Sequence, residues 1–173
     1  MPLFSAELTG LARSTVEALR AAGRRAVTAE SCTGGLIAGL LTEIPGASDV
    51  LGRGFVVYSN QAKTDLLGVP SEILQRHGAV SAETVRAMAE GALRASGDDA
   101  DIAVAVSGIA GPDGGSPTKP VGTVYIGVAT RDAPAEAEHH LFPGDRMNVR
   151  LRTIEAALTL IRRRIATAAQ GRD

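Results

Sequence analysis

Five consecutive apolar residues, Ile102-Ala103-Val104-Ala105-Val106, stand between Asp101 and Ser107 and restrict the fold more than any other segment. A strand with one wet face alternates apolar and polar residues, so an unbroken run predicts a strand buried on both faces. Both faces then need cover, which calls for helices on two sides of a sheet. The flanking sequence supplies them. Leu8, Leu11, Ala12, Thr15, Val16 and Leu19 recur at helical spacing and predict a helix over 4–22 ended by Gly23. A strand over 24–29 and a helix over 33–43 follow, broken at Pro45-Gly46. Gly54 to Tyr58 is β-rich, two short helices fill 60–67 and 70–77, and Ser81 caps a helix reaching Ala95. Strands over 121–129 and 136–142 form a hairpin around Asp132-Ala133-Pro134. Leu151, Ile154, Leu158, Ile161 and Ile165 define the buried stripe of a terminal helix over 145–168, with Gln170 to Asp173 as a frayed tail. The expected fold is a single α/β domain over 1–173, a three-layer α/β/α sandwich. The hairpin makes its sheet mixed, and the remaining strands keep it mostly parallel.

Charge and composition narrow the partners. Lys plus Arg (18) nearly balances Asp plus Glu (19), leaving a formal net charge of -1, too little field to draw nucleic acid or an anionic membrane. Aromatics make up 3% with no Trp, so few platforms exist for stacking single-stranded bases. The apolar stretches break well short of the roughly 20 residues of a membrane span, and the N-terminus lacks a secretion-signal pattern. A cytoplasmic protein with no nucleic-acid or membrane partner is expected. The lone Cys32 excludes an intramolecular disulfide, and His77, His139 and His140 have no zinc-type spacing to it, so no metal or cofactor is expected.

Reactive residues concentrate in Thr28-Ala29-Glu30-Ser31-Cys32-Thr33-Gly34-Gly35, ahead of the apolar helix that begins at Leu36. A strand-to-helix turn directs unpaired N–H groups and the positive helix end forward, which favours an anion or a developing oxyanion. Gly34 and Gly35 allow close backbone approach to a ligand. An ordinary Ser/Thr N-cap reads the same way on spacing alone. Gly108 to Pro120, rich in glycine and proline, is a second candidate, because long loops inside compact domains tend to be functional.

Four segments stand out together: Ala29-Glu30-Ser31-Cys32-Thr33-Gly34-Gly35, Tyr58-Ser59-Asn60-Gln61-Ala62-Lys63, Ser107-Gly108-Ile109-Ala110-Gly111-Pro112-Asp113-Gly114-Gly115 and Lys119-Pro120-Val121-Gly122-Thr123-Val124. With His77-Gly78-Ala79-Val80-Ser81 and Phe142-Pro143-Gly144-Asp145-Arg146, they resemble the CinA C-terminal domain family across residues 5–165. The resemblance implies a three-layer sandwich and an amidohydrolase that converts nicotinamide mononucleotide to nicotinic acid mononucleotide and ammonia in pyridine nucleotide salvage. It further implies a homo-oligomer, usually a dimer, and a Ser/Lys pair as the chemical machinery. Carried onto this sequence, the pair is Ser31 and Lys63, with Tyr58 and Ser107 as further active-site members. Many relatives have threonine where Ser107 stands. Substrate contacts are expected from Glu30, Thr33, Gly34, Gly35, Asn60, Gly108 and Gly111, and phosphate contacts from Arg146 and Arg150, one helical turn apart.

The residues by themselves leave alternatives open. A serine hydroxyl needs a base within hydrogen-bond reach, and a lysine, ordinarily near about 10.4, serves only when desolvation or a neighbouring cation lowers its pKa. On spacing alone Lys63 is a solvated helix-face lysine, and Arg146 and Arg150 are surface arginines. Cys32 is the rival nucleophile, since a helix N-terminus lowers a thiol pKa, although no histidine stands in a partner motif. No glycine-rich stretch runs into Gly-Lys-Ser or Gly-Lys-Thr, which argues against nucleoside triphosphate hydrolysis. A reading from a different class is a non-catalytic nucleotide- or partner-binding module associated with competence or DNA damage. Such a module has no use for a lysine of lowered pKa beside a serine. The N-terminal domain fused to many relatives falls outside the resemblance, so its activity is not expected here.

Overall fold

A computed structural model describes residues 2–170. Its main elements are α1 (Ala6–Ala21), β1 (Ala26–Glu30), α2 (Leu36–Thr42), β2 (Leu51–Val56), α3 (Asn60–Leu67), α4 (Ser71–His77), α5 (Ala82–Ser96), β3 (Ile102–Gly108), β4 (Thr123–Thr130), β5 (Ala133–Leu141) and α6 (Arg146–Gln170). The strands form one sheet in the order β2-β1-β3-β4-β5, with the apolar run of β3 at its centre. β1 pairs in parallel with β2 and β3, while β4 is antiparallel to both β3 and β5. Four strands therefore point one way and β4 alone opposes them, the mixed and mostly parallel sheet that a terminal hairpin demands.

Alternation along β3 sends successive side chains to opposite faces. Ile102, Val104 and Val106 join Ile126 and Val128 against α1, α2 and α6, where Leu19, Ile37, Leu40, Ile154, Leu158 and Ile161 are buried. Ala103 and Ala105 join Val27 and Ala29 on the other face, beneath α3, α4 and α5. Small residues set the spacing of this second layer. A Cβ on Gly91 of α5 would lie 2.0 Å from the carbonyl oxygen of Leu67, and one on Gly127 of β4 would lie 2.5 Å from that of Val85. Glycine to alanine inside a helix ordinarily stabilises by up to about 1 kcal/mol. At Gly91 the sign reverses, because backbone cannot yield to the added methyl. Gly91→Ala is expected to cost about 1–3 kcal/mol, read as a lowered Tm. An unchanged or raised Tm would mean that α3 and α5 separate freely.

Several boundaries differ from those expected, those of β2, the hairpin and α6 among them. β2 begins at Leu51, not Gly54, because Leu51 and Arg53 pair with Ala26 and Val27 of β1, with Gly52 at the register shift between them. Gly54 is required there, since a Cβ would meet Thr28 Oγ1 at 2.6 Å and Ala38 Cβ at 3.1 Å. The hairpin closes at Arg131-Asp132, so Ala133 and Pro134 belong to β5. An edge strand tolerates a residue without an N–H. α6 continues to Gln170, past the expected end, and residues 171–173 of the expected tail lie outside the described residues. Among the described residues no helix is long and apolar enough to cross a membrane.

Candidate active site

Ser31 follows the last residue of β1, and its amide donates to the Val106 carbonyl at 3.1 Å, which carries the strand pairing one residue further. This holds the hydroxyl at the carboxyl end of the parallel strands, where open α/β sheets bind ligands. Gly34 N–H closes back on the Ser31 carbonyl at 3.1 Å, and Gly34 and Gly35 then turn the chain into α2 with φ of +60° and +97°. Glycine adopts these angles without strain. Ser107, near the end of the adjacent strand β3, comes to the same end of the sheet.

Lys63 arrives from the other layer. Ser59 caps α3 by accepting from Ala62 N–H at 3.0 Å, and Lys63 sits one turn in with its side chain running inward. It is 1% exposed, and Nζ lies 3.1 Å from Ser31 Oγ, itself in a residue 8% exposed. Nζ also donates to the carbonyls of Val57 at 2.9 Å and Tyr58 at 3.2 Å. A neutral amine has two N–H groups and one lone pair. With two carbonyls taking the hydrogens, the lone pair is left for the Ser31 hydroxyl, which then acts as donor. Burial lowers the pKa of Lys63 below its ordinary 10.5 by disfavouring the charged form. The same burial pushes the thiol of Cys32 up to about 11, so it stays protonated at neutral pH.

Ser31, Cys32, Tyr58, Lys63, Ser107, Gly108 and Arg146 line a cavity of about 190 Å³, walled by Ala79, Val80 and Ala110. Arg146 at the start of α6 donates to the Gly111 carbonyl at 2.9 Å and to Tyr58 Oη at 3.2 Å. Among the described residues it is the one arginine that lines the cavity. Tyr58 itself is 63% exposed and stands at the rim. Larger concavities lie elsewhere, including one of about 510 Å³ between α1 and α6, but the reactive side chains are not in them.

Other expected ligand residues have different work. Glu30 is fully buried, with Oε2 accepting from Thr33 Oγ1 (2.6 Å), Gly35 N (3.0 Å) and Ile37 N (3.1 Å), and Oε1 from Ala38 N (2.9 Å). Its carboxylate occupies the positive end of α2, which corrects the expectation of an anion site there. Thr33, Gly34 and Gly35 shape the turn and do not line the cavity. Arg150 donates Nε to the Cys32 carbonyl at 3.1 Å and Nη2 to the Thr33 carbonyl at 3.0 Å, so its guanidinium braces the turn. Asn60 begins α3 on the outer surface, in a separate groove with Gln61 and Thr64. Sequence reading missed the carbonyls of Val57 and Tyr58, which carry no residue-type signal, and the apolar wall of Ala79 and Val80.

Fold and site together define an α/β domain with a buried serine–lysine pair at the carboxyl end of its parallel strands. The chain belongs to the CinA C-terminal domain family, which it matches over residues 8–165. Nicotinamide-nucleotide amidohydrolase PncC of Escherichia coli K12 is 49% identical over 156 residues, 90% of this chain and 93% of that protein. A putative competence-damage inducible protein of Caldicellulosiruptor bescii is 58% identical over 137 residues, 79% of this chain and 33% of that protein. The chain thus spans about a third of the length of such longer relatives. The crystal structure of competence/damage inducible protein CihA from Agrobacterium tumefaciens superposes with a TM-score of 0.89 at 47% identity, covering 93% of this chain and 97% of that one.

Proposed function

We propose that this chain hydrolyses the carboxamide of nicotinamide mononucleotide, with Ser31 as nucleophile and Lys63 as base. The observation that carries the reading is the 3.1 Å contact between Lys63 Nζ and Ser31 Oγ inside the protein. Similarity to an amidohydrolase over nearly the whole of that relative supports the substrate class. As Ser31 Oγ attacks the carboxamide carbon, its proton passes to Lys63 Nζ. The ammonium returns that proton to the carboxamide nitrogen as the C–N bond breaks, releasing ammonia and leaving an ester on Ser31. Water, deprotonated by the neutral amine, then frees the carboxylic acid and restores the serine. Ser107 lines the same cavity and adds a further hydroxyl-bearing residue to it. A binding module without chemistry gains nothing from a lysine buried against a serine. On this reading the protein serves pyridine nucleotide salvage in the cytoplasm as a homo-oligomer.

The phosphate is assigned to Arg146, with backbone donors of the Gly108–Gly115 segment. Ammonia release from nicotinamide mononucleotide, nicotinamide riboside and nicotinamide by the purified protein tests both substrate and anchor. Two charge-assisted hydrogen bonds of about 1.5 kcal/mol each predict a kcat/KM for the mononucleotide about a hundredfold above that for the riboside. Equal efficiency on the two would remove the anchor, and no turnover of any of the three would remove the reading. Cys32→Ala is expected to keep most of the activity, because its thiol is protonated and the base faces Ser31.

A further inference from the structure

The turn that carries Ser31 is held from two sides. Glu30 gathers the N–H groups of Gly35, Ile37 and Ala38 behind it. Arg150, reaching across from α6, takes the carbonyls of Cys32 and Thr33 in front. Among the described residues no non-glycine residue has positive φ, so Cys32 and Thr33, the central residues of the Ser31–Gly34 turn, form a type I turn. The turn's own hydrogen bond uses only Gly34 N–H. Among the described residues the amides of Cys32 and Thr33 have no backbone acceptor, and Cys32 N–H has only the thiol of its own side chain beside it. In a trans peptide the N–H points opposite to the C=O. Thr33 N–H therefore points away from Arg150, and Cys32 N–H points away from the direction in which the Ser31 carbonyl meets Gly34.

We propose that Arg150 is a positioning residue for the reaction: its fork fixes the carbonyls of Cys32 and Thr33 so that the turn keeps its shape and the amide of Cys32, which lines the cavity beside Ser31, stays ordered as a donor for the oxyanion formed when Ser31 attacks a carbonyl. The inference rests on Ser31 as nucleophile, and it deepens that reading by giving the helix-borne arginine a part in turnover with no part in substrate binding. Nε and Nη2 of the guanidinium are used on carbonyls, and Arg150 does not line the cavity. A lysine in its place offers a single point of charge and cannot span two carbonyls in a fixed plane. Arg146, one turn earlier, differs on each count, since it lines the cavity and reaches Tyr58 Oη.

The test compares Arg150→Met and Arg150→Lys with the wild type on nicotinamide mononucleotide and nicotinamide riboside, with circular dichroism confirming the fold. Misplacement of donors near a reacting atom predicts a kcat lower by about a hundredfold for Arg150→Met. KM should stay within about threefold of wild type, and the loss should be the same for both substrates. Arg150→Lys should recover less than a tenth of the activity. A loss confined to the phosphorylated substrate, or a raised KM at unchanged kcat, overturns the proposal and makes Arg150 a phosphate ligand. Labelling of Ser31 by a fluorophosphonate, which needs an activated serine but no nucleotide, separates the two readings. Slower labelling in both variants, beside a wild type that labels but leaves the mononucleotide intact, sustains the positioning role and removes only the substrate. Equal labelling in variants and wild type overturns the role itself.

Discussion

Ser31→Ala should abolish ammonia release from nicotinamide mononucleotide, a fall on the order of 10⁴-fold or more in kcat, as expected when a nucleophile is removed from a unit that works together. The fold should survive. Ser31 lies outside the capping network of α2, because Glu30 already accepts the N–H groups of Gly35, Ile37 and Ala38. Losing the hydroxyl removes one contact to Lys63 and leaves Nζ its two carbonyls, a change of about 1 kcal/mol. Steady-state ammonia release and thermal unfolding measured on the same preparation separate the two effects. An active Ser31→Ala paired with a dead Cys32→Ala would replace the serine with a thiol mechanism.

The layers were legible because periodicity reports burial. The unbroken apolar run of β3 required cover on two sides, and the stripe from Leu151 to Ile165 located the helix that supplies part of it. Where the boundaries moved, local propensity was overruled by pairing: β2 begins at Leu51, ahead of the β-rich run, because Leu51, Arg53 and Gly54 pair with β1 and α2 packs over Gly54. Pro134 reads as a turn residue yet lies in a strand whose outer edge is open. The site divides in the same way. Ser31, Lys63 and Ser107 were identified through motif resemblance, and the structure brings them to one cavity. What sequence could not rank was which polar residues face the cavity and which face the backbone. Glu30 and Arg150 have the residue types of ligands, but the free N–H and C=O groups of the turn claim them first. That competition depends on the distance between α6 and the turn, and spacing along the chain says nothing of it.

Lys63→Arg should be as inactive as Lys63→Met, each losing about 10³-fold or more in kcat, because the guanidinium stays protonated and offers no lone pair to the Ser31 proton. In the wild type only the neutral amine accepts that proton, so kcat/KM should rise with pH through the lowered pKa of Lys63 and then level off. Stability must follow the same titration. The folded chain loses its Lys63 proton at lower pH than the unfolded chain, whose lysine keeps the ordinary 10.5. Between those values the unfolded state binds more protons, so wild-type stability gains with rising pH; below the folded value the cost of burying the charge is fully present. Lys63→Met has no such titration. The stability of the wild type relative to Lys63→Met should therefore climb as the pH rises from the lowered pKa of Lys63 toward the ordinary 10.5, measured by urea unfolding, while the variant remains inactive throughout. Parallel stability curves together with a flat activity profile would show an unshifted lysine, charged at neutral pH and unable to act as the base. A climb in both would tie the energy of burying this amine to its readiness to take the proton from Ser31.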